Sequence, residues 1–372
     1  MKAGSMFSNV GIGEILLKDC GIDVLVANEL EPKRCRFYEH VFKNTKMICG
    51  DITDPKIYDS FISECKNNKI DVLIATPPCQ GMSTAGKMKK HDERNYLINY
   101  AIKAVKELNP KYVLFENVPQ QEKTILWYKG KEVYIKDIIE KELSSKYIIN
   151  VKTVNSADYG VAQNRKRYIF LLTRKDQNYI WDFPEIENKI LTVRDVIGDL
   201  PSLEAIPIDD GFKITCKNYK YDNNTNFTHP WHKPSKMASR YIECMLRTPT
   251  GKTAFDNEKY YPRKLNGEKM KGFKNVFKRI EWDKPAPTVT MQNGNIGSQE
   301  NGHPGRDLGN GIYSDARVLS VLEIMRIMSI PDDWNIPSWA EEGFIRAVIG
   351  EGVPPLLMKK IFNELVKGVK NG

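Results

Sequence analysis

A doubly wound, mostly parallel α/β sheet carrying a smaller, loop-rich second domain is the fold predicted for this chain. Three observations predict it. Short apolar runs alternate with longer amphipathic ones over the first 175 residues, the alternation stops after Thr173, and helical patterning returns near the C-terminus. The 372 residues, 41% hydrophobic and 28% charged, have an ordinary globular composition and the length of two to three domains. We expect residues 1–180 to form the main body, 181–340 the smaller domain, and 341–372 a helical segment that returns to the body.

In chain order, strands are read at Ser5–Phe7, Asp23–Ala27, Lys46–Cys49, Val72–Ala75, Tyr112–Phe115, Tyr147–Val151 and Tyr168–Leu172. The clearest helix runs from Arg94 to Leu108, with Leu97, Tyr100, Ala101, Ala104, Val105 and Leu108 on one face. Val318–Met328 and Phe344–Ile349 are patterned as helices. The final one, Pro355–Val369, carries Leu356, Leu357, Ile361, Phe362 and Leu365 as an apolar stripe that matches the helices of the first domain. No apolar run reaches membrane-spanning length and no leader pattern opens the chain, so a cytoplasmic protein without a membrane anchor is expected. Seven cysteines with no Cys-x-x-Cys pair argue for a reducing compartment, against a disulfide framework and against a zinc ribbon. His229 and His232 lack flanking ligands and are read as surface or hydrogen-bonding residues rather than a metal pair.

The net charge of +9 is concentrated in one place. From Phe212 to Ile280 sixteen Lys/Arg face five Asp/Glu, while the remainder of the chain is close to neutral. That is the footprint of a polyanion-binding module attached to a neutral, enzyme-like body.

Chemistry is signalled first at Val72–Ala75, a buried strand cut off by Pro77 and Pro78 and followed at once by Cys79 and Gly81. A thiol on a stiff turn at a strand end stands where open α/β sheets place their active groups, whereas an arbitrary free cysteine is a small buried hydrophobe. Phe7-Ser-Asn-Val-Gly-Ile-Gly13 follows the first strand and is expected to open a helix, a turn that lets backbone approach a cofactor. Glu29 at the tip of the second strand and Asp51 after the third suit an adenosine-containing cofactor, the former at the ribose and the latter at the adenine amino group. Glu116 closes the strand one unit after Cys79, where a carboxyl serves as cap, ion-pair partner or hydrogen-bonding and proton-donating group. In Gln163-Asn-Arg-Lys-Arg167, alternation points Arg165 and Arg167 to one face, where they would hold a substrate oxygen or lower a neighbouring thiol's pKa.

Together these residues resemble the ordered motifs of C5-cytosine-specific DNA methyltransferases of prokaryotic type. The resemblance rests on Pro77-Pro78-Cys79-Gln80, Glu116-Asn117-Val118 and Gln163-x-Arg165-x-Arg167, with Phe7-x-x-x-Gly11, Asn28-Glu29, Gly50-Asp51-Ile52 and Arg94-x-x-Leu97 in register. Pro285-Ala-Pro-Thr-Val-Thr290, Arg317 through Glu323 with Ile330-Pro-Asp-Asp333, and Gly350-x-x-Val353-Pro354-Pro355 extend it over nearly the whole chain. It implies a Rossmann-like catalytic domain, S-adenosylmethionine as cofactor and covalent catalysis on a cytosine flipped out of duplex DNA. By motif, Cys79 would be the nucleophile, Glu116 would hold N3 and the exocyclic amine, Arg167 would bind O2, and Arg165 would support the pocket. Cofactor contacts would come from Phe7, Asn9, Gly11, Glu29, Leu30, Asp51, Ile52, Pro78, Leu97, Glu351 and Gly352. Residues from Gly81 to about Tyr96 would form a loop closing over the target. The basic region would be the target-recognition module, and the expected assembly is a monomer on double-stranded DNA, in a restriction-modification system with a cognate endonuclease.

The chain departs from the family pattern twice. Asn9 and Ile12 stand where the usual Phe-x-Gly-x-Gly-Gly has its first and third glycines, and Glu351-Gly352 replaces the usual Asn-Ser/Ala. Asn tolerates positive φ better than other non-glycine residues, which suits position 9, whereas Ile12 fits the pattern only if Gly13 shifts the register. Both departures concern the cofactor and neither touches the catalytic set. Two other readings remain at this level: a tRNA cytosine-5 methyltransferase, and a non-catalytic DNA-binding protein on the same scaffold.

Overall fold

The computed structural model describes residues 1–78, 92–215 and 226–371. Seven strands make the central sheet: β1 (Lys2–Met6), β2 (Asp23–Glu29), β3 (Lys46–Cys49), β4 (Val72–Ala75), β5 (Tyr112–Asn117), β8 (Tyr147–Asn155) and β9 (Lys166–Arg174). A small hairpin, β6 (Ile125–Tyr128) with β7 (Lys131–Tyr134), lies outside it. The order across the sheet is β3-β2-β1-β4-β5-β9-β8. The first five strands in that order run parallel, and β9 pairs antiparallel with both β5 and β8.

Period-two alternation explains how both faces are covered. Leu73, Ala75, Val113 and Phe115 turn to one side, against helices α2 (Pro55–Asn68), α3 (Ile98–Leu108) and α4 (Ile135–Leu143). Val72, Ile74, Tyr112 and Leu114 turn to the other side, against α9 (Pro355–Asn371). Trp181, fully buried, packs there edge-on to Tyr112 and tilted on Phe362, and its Nε1 donates to the Ile361 carbonyl at 3.0 Å. Helix α1 (Pro32–Val41) covers β2 and β3.

The stretch after the glycine turn, expected to open a helix, instead makes two short 3-10 turns, Ile12–Glu14 and Lys18–Cys20. The run is short, contains Gly13, and is closed by Gly21 at φ +80°. It therefore lacks the length at which an α-helix propagates, and it lies under α9.

The C-terminal third divides its packing. Helices α5 (Val193–Ile197), α7 (Val321–Ile327) and α8 (Glu342–Glu351) share a core with Val10, Ile12 and Phe37 of the sheet body. The middle region holds a smaller core around α6 (Ser239–Leu246), Ala254, Phe277 and Ile296. Its regular structure is sparse: β10 (Ile206–Ile208) pairs with β11 (Lys236–Ala238), and the rest is largely turns.

Charged side chains take over where strands are lacking. Arg279, fully buried, donates to the carbonyls of His303 (2.8 Å), Asp315 (3.0 Å) and Met245 (2.9 Å). Arg317, also fully buried, grips Glu323 through two nitrogens (2.7 and 2.9 Å) and Asp315 through one (2.7 Å). Gly305 at φ +74° leaves room for that arrangement, since a Cβ there would fall 2.4 Å from the Arg279 guanidinium. Burial lowers the pKa of His303 to about 4, despite Asp315 and Glu323 nearby, so its ring is neutral near pH 7. Its Nδ1 accepts from the Gly305 N–H at 3.0 Å, which leaves the ring proton on Nε2, facing Glu323. His229 and His232 also hydrogen-bond within the protein, to Asp332 and to Ser320 and Pro201.

Candidate active site

A cavity of about 900 Å³ opens at the carboxyl edge of the parallel strands, the edge where such sheets place ligands. Its size is that of a small-molecule or cofactor site. The tips of β1, β2, β4 and β5, the start of β9, the segment 288–291 and the C-terminal end of α8 all contribute to its wall.

The reversal of β9 explains one wall. In a parallel strand, Arg165 and Arg167 at its start would lie at the opposite edge of the sheet. Antiparallel pairing sets Tyr168 beside Asn117 and Ile169 beside Glu116, bringing both arginines to the edge where Glu116 ends β5. Arg167 Nε lies 2.7 Å from Glu116 Oε1, with both side chains almost wholly buried. Burial raises the Glu116 pKa above the ordinary carboxylate value, and Arg167 and Arg165 oppose that shift. The arrangement therefore holds a carboxyl whose proton is retained more readily than usual, next to a cation that orients it.

Arg165 is placed differently from Arg167. Its guanidinium is buried and donates to the carbonyls of Val289 (2.8 Å) and Gly350 (2.7 Å), tying β9 to two distant segments. The segment 286–289 is further stitched to 162–164 by Ala286 N to Ala162 O and Asn164 N to Ala286 O, each 2.8 Å. Val289 N adds a bond to Gln163 Oε1 at 3.2 Å.

The thiol's mount is described up to Pro78, whereas Cys79 and the following loop residues to His91 lie outside the described residues. Pro77 and Pro78 line the cavity, and Asn117 Nδ2 donates to the Pro77 carbonyl at 3.0 Å, so β5 braces the turn that carries position 79. Thr76 adds an Oγ1 bond to the Phe7 carbonyl at 3.1 Å.

Of the residues expected to contact the cofactor, Phe7, Asn9, Glu29, Leu30, Asp51, Ile52, Pro78, Leu97, Glu351 and Gly352 all line the cavity. Gly11 does not reach its wall. It holds the turn at φ +78°, where a Cβ would strike Phe42 and Tyr38. Asn9 takes the left-handed conformation expected of it, φ 52°. Glu29 accepts from the backbone N–H of Asn9 (2.9 Å) and of Glu31 (3.0 Å), so it holds the turn that it borders. The Asn9 Oδ1 is buried without a hydrogen-bond partner on this wall.

Two residues of the site were not singled out from sequence. Arg34 pairs with Glu351 at 2.9 Å. Glu14 is buried on the cavity wall, where it accepts from Ser5 Oγ at 2.6 Å and from the Tyr38 hydroxyl, and burial raises its pKa to about 7. A lone acid in the otherwise apolar stretch Val10–Leu17 was the available signal for Glu14.

Comparisons with known proteins bear on the family and the fold. The chain is 46% identical over 366 residues to the Type II methyltransferase M1.HgaI of Avibacterium volantium, covering 97% of both chains. It is 27% identical over 384 residues to M.XorII of Xanthomonas oryzae, covering 98% of this chain and 84% of that one. Among solved structures, a prophage-encoded E. coli protein described as a DNA modification methyltransferase superposes with a TM-score of 0.70 at 20% identity, covering 100% and 99% of the two chains. Spodoptera frugiperda DNMT2 gives 0.56 at 18%, covering 99% of each, and at these identities both likenesses speak to the fold alone. A family profile described as C-5 cytosine-specific DNA methylase matches residues 1–367, and the chain belongs to that family.

Proposed function

We propose that this DNA cytosine-5 methyltransferase works by covalent catalysis with S-adenosylmethionine, on cytosine in a specific duplex sequence. The observation that supports it best is the buried Glu116–Arg167 pair standing in the same cavity wall as the Pro77-Pro78 mount of Cys79. The cavity suits the cofactor in volume and in donor set, with carboxylates at two strand tips and an unpartnered buried amide oxygen on Asn9. When bound, S-adenosylmethionine supplies an electrophilic methyl group.

The steps assigned to the protein's own groups follow from that. The Cys79 thiolate forms a bond to cytosine C6, and the C5–C6 electron pair becomes available at C5. Glu116 hydrogen-bonds N3 and the exocyclic amine, offsetting the charge that develops on the ring, which its raised pKa favours. Arg167 holds Glu116 and binds O2, while Arg165 keeps segments 289 and 350 in place behind the pocket. After C5 takes the methyl group, a base removes the C5 proton and elimination returns the electron pair to sulfur, freeing Cys79.

Residues 181–340 are proposed as the module that delivers duplex DNA, on the strength of the exposed lysines 233, 236, 252, 259, 264, 269, 271 and 274. The Type II relatives favour a place in a restriction-modification system. Incubation with methyl-tritiated cofactor and cytosine-containing duplexes should place label on cytosine C5. Label on an exocyclic nitrogen, or preferential labelling of tRNA in a parallel reaction, would refute the reading.

A further inference from the structure

The two departures from the family pattern meet each other in space. Asn9 Nδ2 donates to Glu351 Oε2 at 2.8 Å, across 342 residues of sequence. Three residues further along the same turn, Ile12 stands against Gly352. A Cβ built on Gly352 would fall 2.8 Å from Ile12 Cγ2 and 2.9 Å from Ile12 Cβ, closer than such atoms approach. The Ile12 Cβ is fixed to the backbone and cannot swing aside, so a side chain at 12 requires none at 352. At 9 and 351 the opposite holds: both positions carry side chains, and these bond.

The contacts extend into a closed circuit. Arg34 donates to the same Glu351 oxygen at 2.9 Å from α1, and α1 begins just after Glu31, whose N–H is held by Glu29 Oε1 at 3.0 Å. Glu29 Oε2 accepts the Asn9 N–H at 2.9 Å, which returns to the starting residue. Every member of this ring (Asn9, Glu29, Glu31, Arg34 and Glu351) borders the one cavity, as do Ile12 and Gly352.

We propose that the Asn9–Glu351–Arg34 bonds and the Ile12–Gly352 contact are matched pairs that set the shape of the cofactor site, so that affinity depends on each pair rather than on either partner. Asn9, Ile12, Arg34, Glu351 and Gly352 are positioning residues in this sense. The proposal rests on the assignment of S-adenosylmethionine to this cavity.

The test is a double-substitution cycle read by calorimetric titration with S-adenosylmethionine, at a temperature where every variant is folded by circular dichroism. Gly352→Ser should weaken binding at least tenfold by forcing Ile12 out of place, and Ile12→Gly should weaken it by leaving a gap. The double variant Ile12→Gly/Gly352→Ser should return to within about threefold of wild type, because the hydroxymethyl group then occupies the vacated space. A second cycle, Asn9→Ala with Glu351→Ala, should show the same non-additivity. The cofactor KM should follow these changes while the KM for DNA stays constant, a split that general loss of stability would not produce. If Gly352→Ser fails to fold, the double variant still decides, because only a matched pair predicts its recovery. Strictly additive losses, or a Gly352→Ser protein that binds as wild type does, would overturn the proposal. A wild-type protein that shows no binding would instead overturn the cofactor assignment.

Discussion

The sheet body and the middle region solve one problem by different means. In the body, strand ladders satisfy the backbone and alternating apolar residues fill both faces, so its buried charges are concentrated at the cavity. Between about 200 and 320 the backbone is mostly irregular, and several of its carbonyls are satisfied by buried arginines, Arg279 on four of them and Arg317 on Leu203 and Val318. A buried guanidinium presents five donors in a rigid fork and so replaces part of a ladder. The difference teaches that buried charge lines a cavity in one region and replaces backbone pairing in the other.

Substitutions can break or sharpen that contrast. The largest effect is expected in the body: Cys79→Ser should abolish methyl transfer while DNA binding by gel shift persists, and undiminished turnover would end the covalent mechanism. Next, Glu116→Gln should slow single-turnover methylation by ~10²–10⁴-fold with melting little changed, as suits a proton-donating group. In the middle region the expected pattern inverts. Arg279→Met should cost about 1–3 kcal/mol for each buried carbonyl left without its donor, seen as proteolytic cleavage between 200 and 320 before the sheet body is cut. Smaller again, Lys271→Ala with Lys274→Ala should reduce the salt slope of DNA binding by about 2 without altering sequence preference. These two lysines flank Phe273, which is 81% exposed.

The smallest expected effect is a pH dependence. Burial raises the Glu14 pKa to about 7 in the folded protein, against an ordinary value of 4.5. The folded state therefore binds more protons between those values, and this contribution to stability is present below 4.5 and fades as pH rises through 7. Glu14→Gln should flatten the decline in melting temperature between pH 5 and 8. An unchanged slope would show that Glu14 is ionised throughout.

Much of this was legible in sequence, for reasons that can be named. The seven strands of the sheet follow apolar runs bounded by turn residues, and Lys46–Cys49 and Val72–Ala75 coincide with their predicted limits. The direction of β9 was not legible, because an apolar run reads the same whichever way it pairs. Yet that reversal is what brings Arg167 to Glu116. Asn9 advertised its positive φ, whereas Ile12 could be understood only beside Gly352, a contact between residues 340 positions apart. The buried roles of Arg279 and Arg317 were hidden for a related reason. In composition they count toward the basic segment and its neighbourhood, but no charge count separates a cation turned inward from one offered to DNA.

The bond between Asn9 and Glu351 carries a consequence for the order of events during synthesis. The glycine turn leaves the ribosome 342 residues ahead of its partner. The face of the sheet beneath α9 lacks its cover for a similar interval, since Leu357, Ile361 and Leu365 arrive only with that helix. A nascent chain thus holds its cationic segment well before the rim of its cavity can close. The rim of the cavity therefore waits on the docking of α8 and α9, however complete the sheet already is.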